Sequence, residues 1–183
     1  MRSPSSLLGL VATLAVSLPS HPAPSYTLVA EGALRLASSG QEAGYGLMRD
    51  PSNGRAILQI SLGATHGEAA LSLFTYADSA LRPGRYPVAM SLSEDPSAGR
   101  WFHPCFSAGT VERPVGFFHG ETGWVRITSV GGGWIAGEYE IRARGYLASN
   151  MDDENQHVTL RGIFVAEGDS TATAIPPMAA VAQ

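Results

Sequence analysis

An all-β domain, built as an antiparallel β-sandwich or partly closed barrel of about nine strands, is what this sequence predicts. Three observations carry that reading. Apolar and polar residues alternate with a period of two along several runs, the pattern of a strand with one face in a core. Gly, Pro, Asn and Ser gather between those runs, where turns need a positive or a fixed φ. No stretch between the two ends repeats its apolar residues at helical spacing, so no substantial helix is expected.

Tyr26 to Leu36 and Ala43 to Met48 are the first two strand candidates. Pro51-Ser52-Asn53-Gly54 is turn chemistry whose Asn-Gly pair tolerates positive φ. It leads into Arg55 to Leu62, where Ala56, Leu58, Ile60 and Leu62 share one face. Ala69 to Tyr76, Gly84 to Ser91 and Arg100 to Ser107 follow. Pro87 is expected to start or edge a strand and Pro104 to mark an edge or bulge, because proline cannot donate to a ladder. Trp124 to Ser129 sets Val125 and Ile127 against Arg126 and Thr128. Trp134 to Arg144 sets Ile135, Tyr139, Ile141 and Ala143 against Glu138, Glu140, Arg142 and Arg144. The linker Gly131-Gly132-Gly133 joins these two as a hairpin. His157 to Ala166, with Val158, Leu160 and Phe164 inward, is the last strand. Two stretches read as irregular: Ser107 to Gly120, with Pro114, Phe117 and Phe118, and Gly145 to Gln156, with Asp152-Asp153-Glu154. Loops of that length often carry function.

A chain of 183 residues predicts one domain, at about 150 residues per domain. Arg2 followed by the apolar run Leu7 to Leu18 reads as a secretory signal, since the run falls short of the roughly 20 residues a membrane helix needs. Ala23 and Ser25 suit a cut before Tyr26, with a cut after Ser20 as the alternative. Residues 1–25 are therefore expected to be a removed signal peptide and 26–169 the domain. Residues 170–183 are expected to be a disordered tail with little to bury. Export to the periplasm or beyond follows, with no transmembrane anchor after cleavage. No cysteine stands directly after the apolar run to take a lipid.

Composition removes other classes. The formal net charge is −4, and all twelve cations are arginine, so no basic excess exists to neutralise phosphates and nucleic acid is not an expected partner. Charged residues make up 15% and hydrophobic ones 44%, which excludes an acidic disordered chain and leaves enough for a core.

Several residue groups carry candidate chemistry. His66-Gly67-Glu68 and His119-Gly120-Glu121 each precede a predicted strand. Imidazole and carboxylate from two such loops suit a divalent metal, if the loops meet; otherwise they are turn chemistry. Glu138 and Glu140 lie two apart on one strand face, about 6.5–7 Å by strand geometry, near the lower edge for an inverting glycosidase. The neighbouring Arg142 and Arg144 make a mixed-charge solvent face the plainer account. Cys105 is the one cysteine. His103-Pro104-Cys105 places an imidazole beside the thiol, as in an activated nucleophile, whereas a single thiol in an apolar run is ordinarily a small buried hydrophobe. Asp152-Asp153-Glu154 reads as a solvated acidic loop rather than a calcium site. Aromatic residues concentrate in the second half of the domain. Trp101, Phe117, Phe118, Trp124 and Trp134 are the binding candidates among them, as pocket lining or as an exposed patch.

The last three strands carry recognisable motifs: Val125-Arg126-Ile127-Thr128, then Ile135-Ala136-Gly137-Glu138-Tyr139-Glu140-Ile141-Arg142-Ala143, then Val158-Thr159-Leu160-Arg161-Gly162-Ile163-Phe164. Upstream stands Pro83-Gly84-Arg85-Tyr86-Pro87-Val88. Together these resemble the ending of a family of small secreted or lipid-anchored bacterial all-β domains of unknown function. The resemblance implies the fold and export, and it brings no catalytic residues with it.

The functional expectation is an exported, non-enzymatic domain without a cofactor, binding a small ligand, a glycan or an envelope protein through the Ser107 to Gly120 loop and the exposed tryptophans. The alternative is a metal-assisted hydrolase using His66, Glu68, His119 and Glu121.

Overall fold

The computed structural model describes residues 22–63, 68–92 and 100–168. Residues 1–21 of the expected signal peptide, His66 and the whole of the expected tail, 170–183, lie outside them. Ten strands follow in order: β1 (Ser25–Gly32), β2 (Leu36–Gly40), β3 (Ala43–Arg49), β4 (Ala56–Leu62), β5 (Ala69–Tyr76), β6 (Gly84–Pro87), β7 (His103–Gly109), β8 (Pro114–Gly131), β9 (Trp134–Leu147) and β10 (Gln156–Gly168). Among the described residues there is no helix, and so none long and apolar enough to cross a membrane.

The ladders form a ring. Following the pairings from β10 leads through β3, β4, β5, β7, β8 and β9 back to β10. Every pairing between named strands is antiparallel except β10 with β3, where Glu167 and Gly168 lie parallel to Gly44 and Tyr45. The long strands β8, β9 and β10 serve more than the ring. The first part of β10 carries β1, which carries β2, and the second half of β8 carries the short edge strand β6. Two bulges in β8, at Gly120/Thr122 and Ile127/Ser129, let one strand make both sets of contacts, because an extra residue bends the strand and raises its twist.

Alternation sets which side chains fill the interior. Leu58, Ile60 and Leu62 from β4, Leu71 and Leu73 from β5, and Ile141 and Ala143 from β9 are all buried. Val158, Leu160 and Phe164 of β10 point inward as their spacing requires. The largest fully buried side chains are Phe102, Phe106 and Phe118, with Phe106 and Phe118 stacked at 6.0 Å. Truncating Phe118 to alanine is expected to cost about 3–5 kcal/mol, read from the urea midpoint at unchanged slope. A loss below 1 kcal/mol would mean that this ring is not in the core.

The family-like motifs have a packing explanation. Gly137 on β9 faces Phe164 on β10, and Tyr139 on β9 faces Gly162 on β10. Each glycine leaves room for the aromatic side chains of the pair: a Cβ at Gly137 would stand 2.7 Å from the Phe164 ring, and one at Gly162 2.6 Å from the Tyr139 hydroxyl. Such aromatic–glycine pairs hold strand register. Tyr139 then donates to the Thr27 carbonyl at 2.9 Å, tying β1 to the same place.

The structure differs from the sequence expectation in several stretches. The run Tyr26 to Leu36 divides into β1 and the start of β2, turning at Gly32, whose φ of +132° no side chain tolerates well. The supposed irregular stretch Ser107 to Gly120 is a hairpin: β7 runs to Gly109 and β8 begins at Pro114. Thr110 to Arg113 close it, with the Arg113 amide donating to the Thr110 carbonyl at 3.2 Å. Gly145 to Gln156 contracts likewise, because β9 continues to Leu147 and β10 starts at Gln156.

Asn53 and Gly54 turn the chain between β3 and β4 as predicted, Gly54 at φ +72°. At the start of this turn, Asp50 accepts from the Ser52 hydroxyl at 2.6 Å, the Tyr76 hydroxyl at 2.7 Å and the Ser52 amide at 2.9 Å. These bonds, the Ser52 hydroxyl foremost, lower its carboxyl from 3.8 to about 2. A folded value below the unfolded one contributes stability at pH above the unfolded value and loses it as pH falls toward the folded one. Part of the acid destabilisation is therefore expected between about pH 4 and pH 2, and Asp50→Asn should remove it. An unchanged acid-unfolding profile in that variant would refute the assignment.

Candidate metal centre

The ring exposes a second, outward-facing set of side chains on β7 and β8. Along β7, Pro104, Phe106 and Ala108 are buried and His103, Cys105 and Ser107 are half-buried on the outer face. Along β8, Gly116, Phe118 and Gly120 are buried, and Phe117, His119 and Glu121 alternate outward. The hairpin register sets Cys105 directly opposite His119. Two residues before Cys105 on the same face is His103, since i and i+2 share a face in a strand.

Three donors thus converge. Cys105 Sγ lies 3.4 Å from His103 Nε2 and 3.5 Å from His119 Nδ1, and the three donor atoms all lie within 4.8 Å of one another. The imidazole rings stack at 5.4 Å with 21° between planes. Two aromatic rings flank the group: Phe74 is 6.4 Å from His103, and Phe117 meets His119 edge-on at 4.9 Å.

His103 is held from behind. Its Nδ1 is 3.2 Å from the Ala89 carbonyl, an acceptor only, so Nδ1 carries the proton and donates it. In the neutral ring Nε2 is then the bare nitrogen, and it points at the thiol. Metal-ligating histidines are characteristically held this way, by a hydrogen bond from the other ring nitrogen. Burial and the neighbouring His119 lower the His103 pKa, against the opposing effect of the Ala89 bond. The ring is therefore neutral near pH 7, as a ligand must be. Burial pushes the Cys105 thiol up to about 11. That counts against the activated-nucleophile reading of His103-Pro104-Cys105, because the thiol keeps its proton unless something displaces it.

A metal ion is what displaces such a proton. Zinc–nitrogen and zinc–sulfur bonds of about 2.05 and 2.3 Å at the tetrahedral angle set N and S about 3.5 Å apart. The two N–S separations match that edge, so Cys105 with each of His103 and His119 spans one edge of a zinc tetrahedron.

Local sequence explains why the β7–β8 pairing stops here. Pro104 has no amide to donate, and the ladder toward β8 begins only at Cys105. Gly120 leaves room for the proline ring, since a Cβ there would stand 2.5 Å from Pro104 Cδ. The bulge follows immediately, at Gly120/Thr122.

The paired His-Gly-Glu scheme is corrected. His119-Gly120-Glu121 lies inside a strand rather than at a strand start. Glu121 is turned to Arg142 and His157, at 3.8 and 3.5 Å. Glu68 accepts the Gly109 amide through its carbonyl, four residues along β7 from Cys105, a span of about 13 Å by strand rise. His66 is outside the described residues. Of the three that are described, His119 alone joins the cluster, and its partners His103 and Cys105 were legible only as a two-residue thiol–imidazole pair.

Other candidates take separate places. Phe118 is fully buried in the core. Phe117 borders the cluster and Tyr146. Trp124 is half-buried with the Arg85 guanidinium 4.7 Å above its ring. Trp101, just before β7, and Trp134, the first residue of β9, are half-buried. Glu138 pairs with Arg126 at 3.1 Å and Glu140 with Arg161 at 3.6 Å, as a mixed-charge solvent face requires. Asp153 is tied to Asn155 and Gln156.

Fold and site together define a class: an all-β protein, almost wholly antiparallel, whose outer wall carries a two-histidine, one-cysteine donor set. Comparison with protein-family models, curated proteins and solved structures finds no match for this chain. The expectation of a non-enzymatic binding domain is corrected by the cluster itself, whose three donors lie close enough together to be capable of holding a metal.

Proposed function

We propose that the protein binds one zinc ion through His103, Cys105 and His119 and uses it for metal-assisted hydrolysis of a small substrate. The observation that carries this reading is the thiol held 3.4 and 3.5 Å from two imidazole nitrogens. Structural zinc sites close their shell with four protein ligands, whereas catalytic sites use three and leave a position for water or substrate. The ion supplies a Lewis acid and lowers the pKa of water at that position. The chain supplies the rest. Ala89 orients His103, and the Phe74 and Phe117 rings lie against His103 and His119. Export of the mature chain remains part of this proposal.

The test is a zinc titration against a chromophoric chelator, repeated with cobalt(II), whose thiolate charge-transfer band reports Cys105. The loaded protein is then assayed on aryl carboxylate and phosphate esters. One metal per chain and metal-dependent turnover are expected. Metal without turnover would overturn the hydrolase, and no metal would overturn the site.

A further inference from the structure

We infer that the substrate of this site carries an oxyanion, of the phosphate or carboxylate kind, and that Arg144 binds it beside the metal. The inference rests on the zinc reading above and extends it to the substrate's charge.

Arg144 pairs with His119 in the β8–β9 ladder. It therefore stands one strand over from a ligand, about 4.8 Å away in the sheet, and its half-buried side chain is on the same outer face. The guanidinium extends toward the far side of the cluster: Nη2 is 3.9 Å from the Met90 sulfur. Met90 follows Ala89, whose carbonyl holds His103. Arg144 thus reaches from the strand beside His119 to the segment that anchors His103, along the rim of the three donors.

Among the described residues Arg144 makes no ion pair, whereas Arg142, its neighbour on the same face, is paired with Glu121. A thioether is a weak acceptor, and a guanidinium carries five donors in a fork suited to two oxygens. The local charge points the same way. A divalent ion with one thiolate and two neutral imidazoles leaves one positive charge, and Arg144 adds a second. Cation and guanidinium together favour a ligand that places one oxygen on the metal and another on the fork.

The experiment uses inorganic phosphate as the probe, on the full protein loaded with cobalt(II), by calorimetry and by the change in the cobalt spectrum. Wild type is compared with Arg144→Gln and Arg144→Lys, and with metal-free wild type. The expected result is phosphate binding that needs the metal, weakens about 10–100-fold in Arg144→Gln, and is partly restored in Arg144→Lys. Cobalt affinity should be the same in all three proteins. Cobalt bound normally with phosphate affinity unchanged in Arg144→Gln overturns this inference and leaves the metal site standing. Failure to bind cobalt overturns the zinc reading, and this inference with it.

Discussion

His119→Ala is expected to weaken zinc or cobalt(II) binding by more than about 100-fold, since even partners that only orient a ligand cost 10–100-fold. The urea midpoint of the metal-free protein should move little, because His119 is on the outer face while its neighbours Phe118 and Gly120 fill the interior. Cys105→Ser should match the loss in affinity and abolish the cobalt charge-transfer band, with almost no change in volume. The pH dependence follows from the thiol. Burial holds Cys105 protonated up to about 11, and a metal binds the thiolate, so each ion bound at neutral pH must release that proton. Between pH 7 and 9, well below the thiol's value, apparent affinity should rise tenfold per pH unit. Calorimetry in buffers of different ionisation enthalpy should count one proton released. Affinity that stays flat between pH 7 and 9 would remove Cys105 from the ligand set.

Gly162→Ala is expected to destabilise the fold by about 3 kcal/mol, the upper end of what overpacking costs. A Cβ at this position would stand 1.9 Å from the Thr27 carbonyl oxygen and 2.6 Å from the Tyr139 hydroxyl. A side chain can rotate away, but the Thr27 oxygen belongs to the backbone of β1. Relief therefore requires β1 to separate from β10, where Val29 pairs with Arg161 and Ala30 with Leu160. It also costs the Tyr139–Thr27 hydrogen bond. The double variant Gly162→Ala, Tyr139→Phe separates the two causes: removing the hydroxyl should recover little, because the backbone oxygen is the nearer obstacle. Full recovery would show that the hydroxyl alone was in the way. Metal affinity should survive in whatever fraction folds, since His103, Cys105 and His119 belong to β7 and β8.

Residues 110–123 show why part of the fold was illegible. The turn Thr110 to Arg113 lacks an Asn-Gly pair, and Pro114 follows it, so the segment has no hairpin signature. Gly116, Gly120 and Gly123 then break the apolar alternation that marks a strand. Their place in β8 depends on residues from elsewhere: a Cβ would meet Tyr146 and Leu147 at Gly116, Pro104 at Gly120, and Glu140 at Gly123. Glycine reads as turn chemistry when its neighbours in space are unknown. By contrast, β4, β9 and β10 bury aliphatic and aromatic side chains at most alternate positions, broken only singly by Gly137, Gly145 and Gly162, and that pattern needs no partner to be read.

The sequence by itself determined the all-β class, the turn at Asn53-Gly54, the β8–β9 hairpin and the fact that His103 and Cys105 share a face. All of these follow from local backbone geometry, which alternates side chains with a period of two. Tertiary structure decided what the cluster is. The β7–β8 register brings His119, fourteen residues away, opposite Cys105. The Ala89 carbonyl fixes which nitrogen of His103 is bare, and β9 delivers Arg144 beside them. Burial raises the thiol pKa, which counts against the nucleophile that His103-Pro104-Cys105 suggests. Pairing register and burial belong to the assembled sheet, so no reading of separate strands contains them.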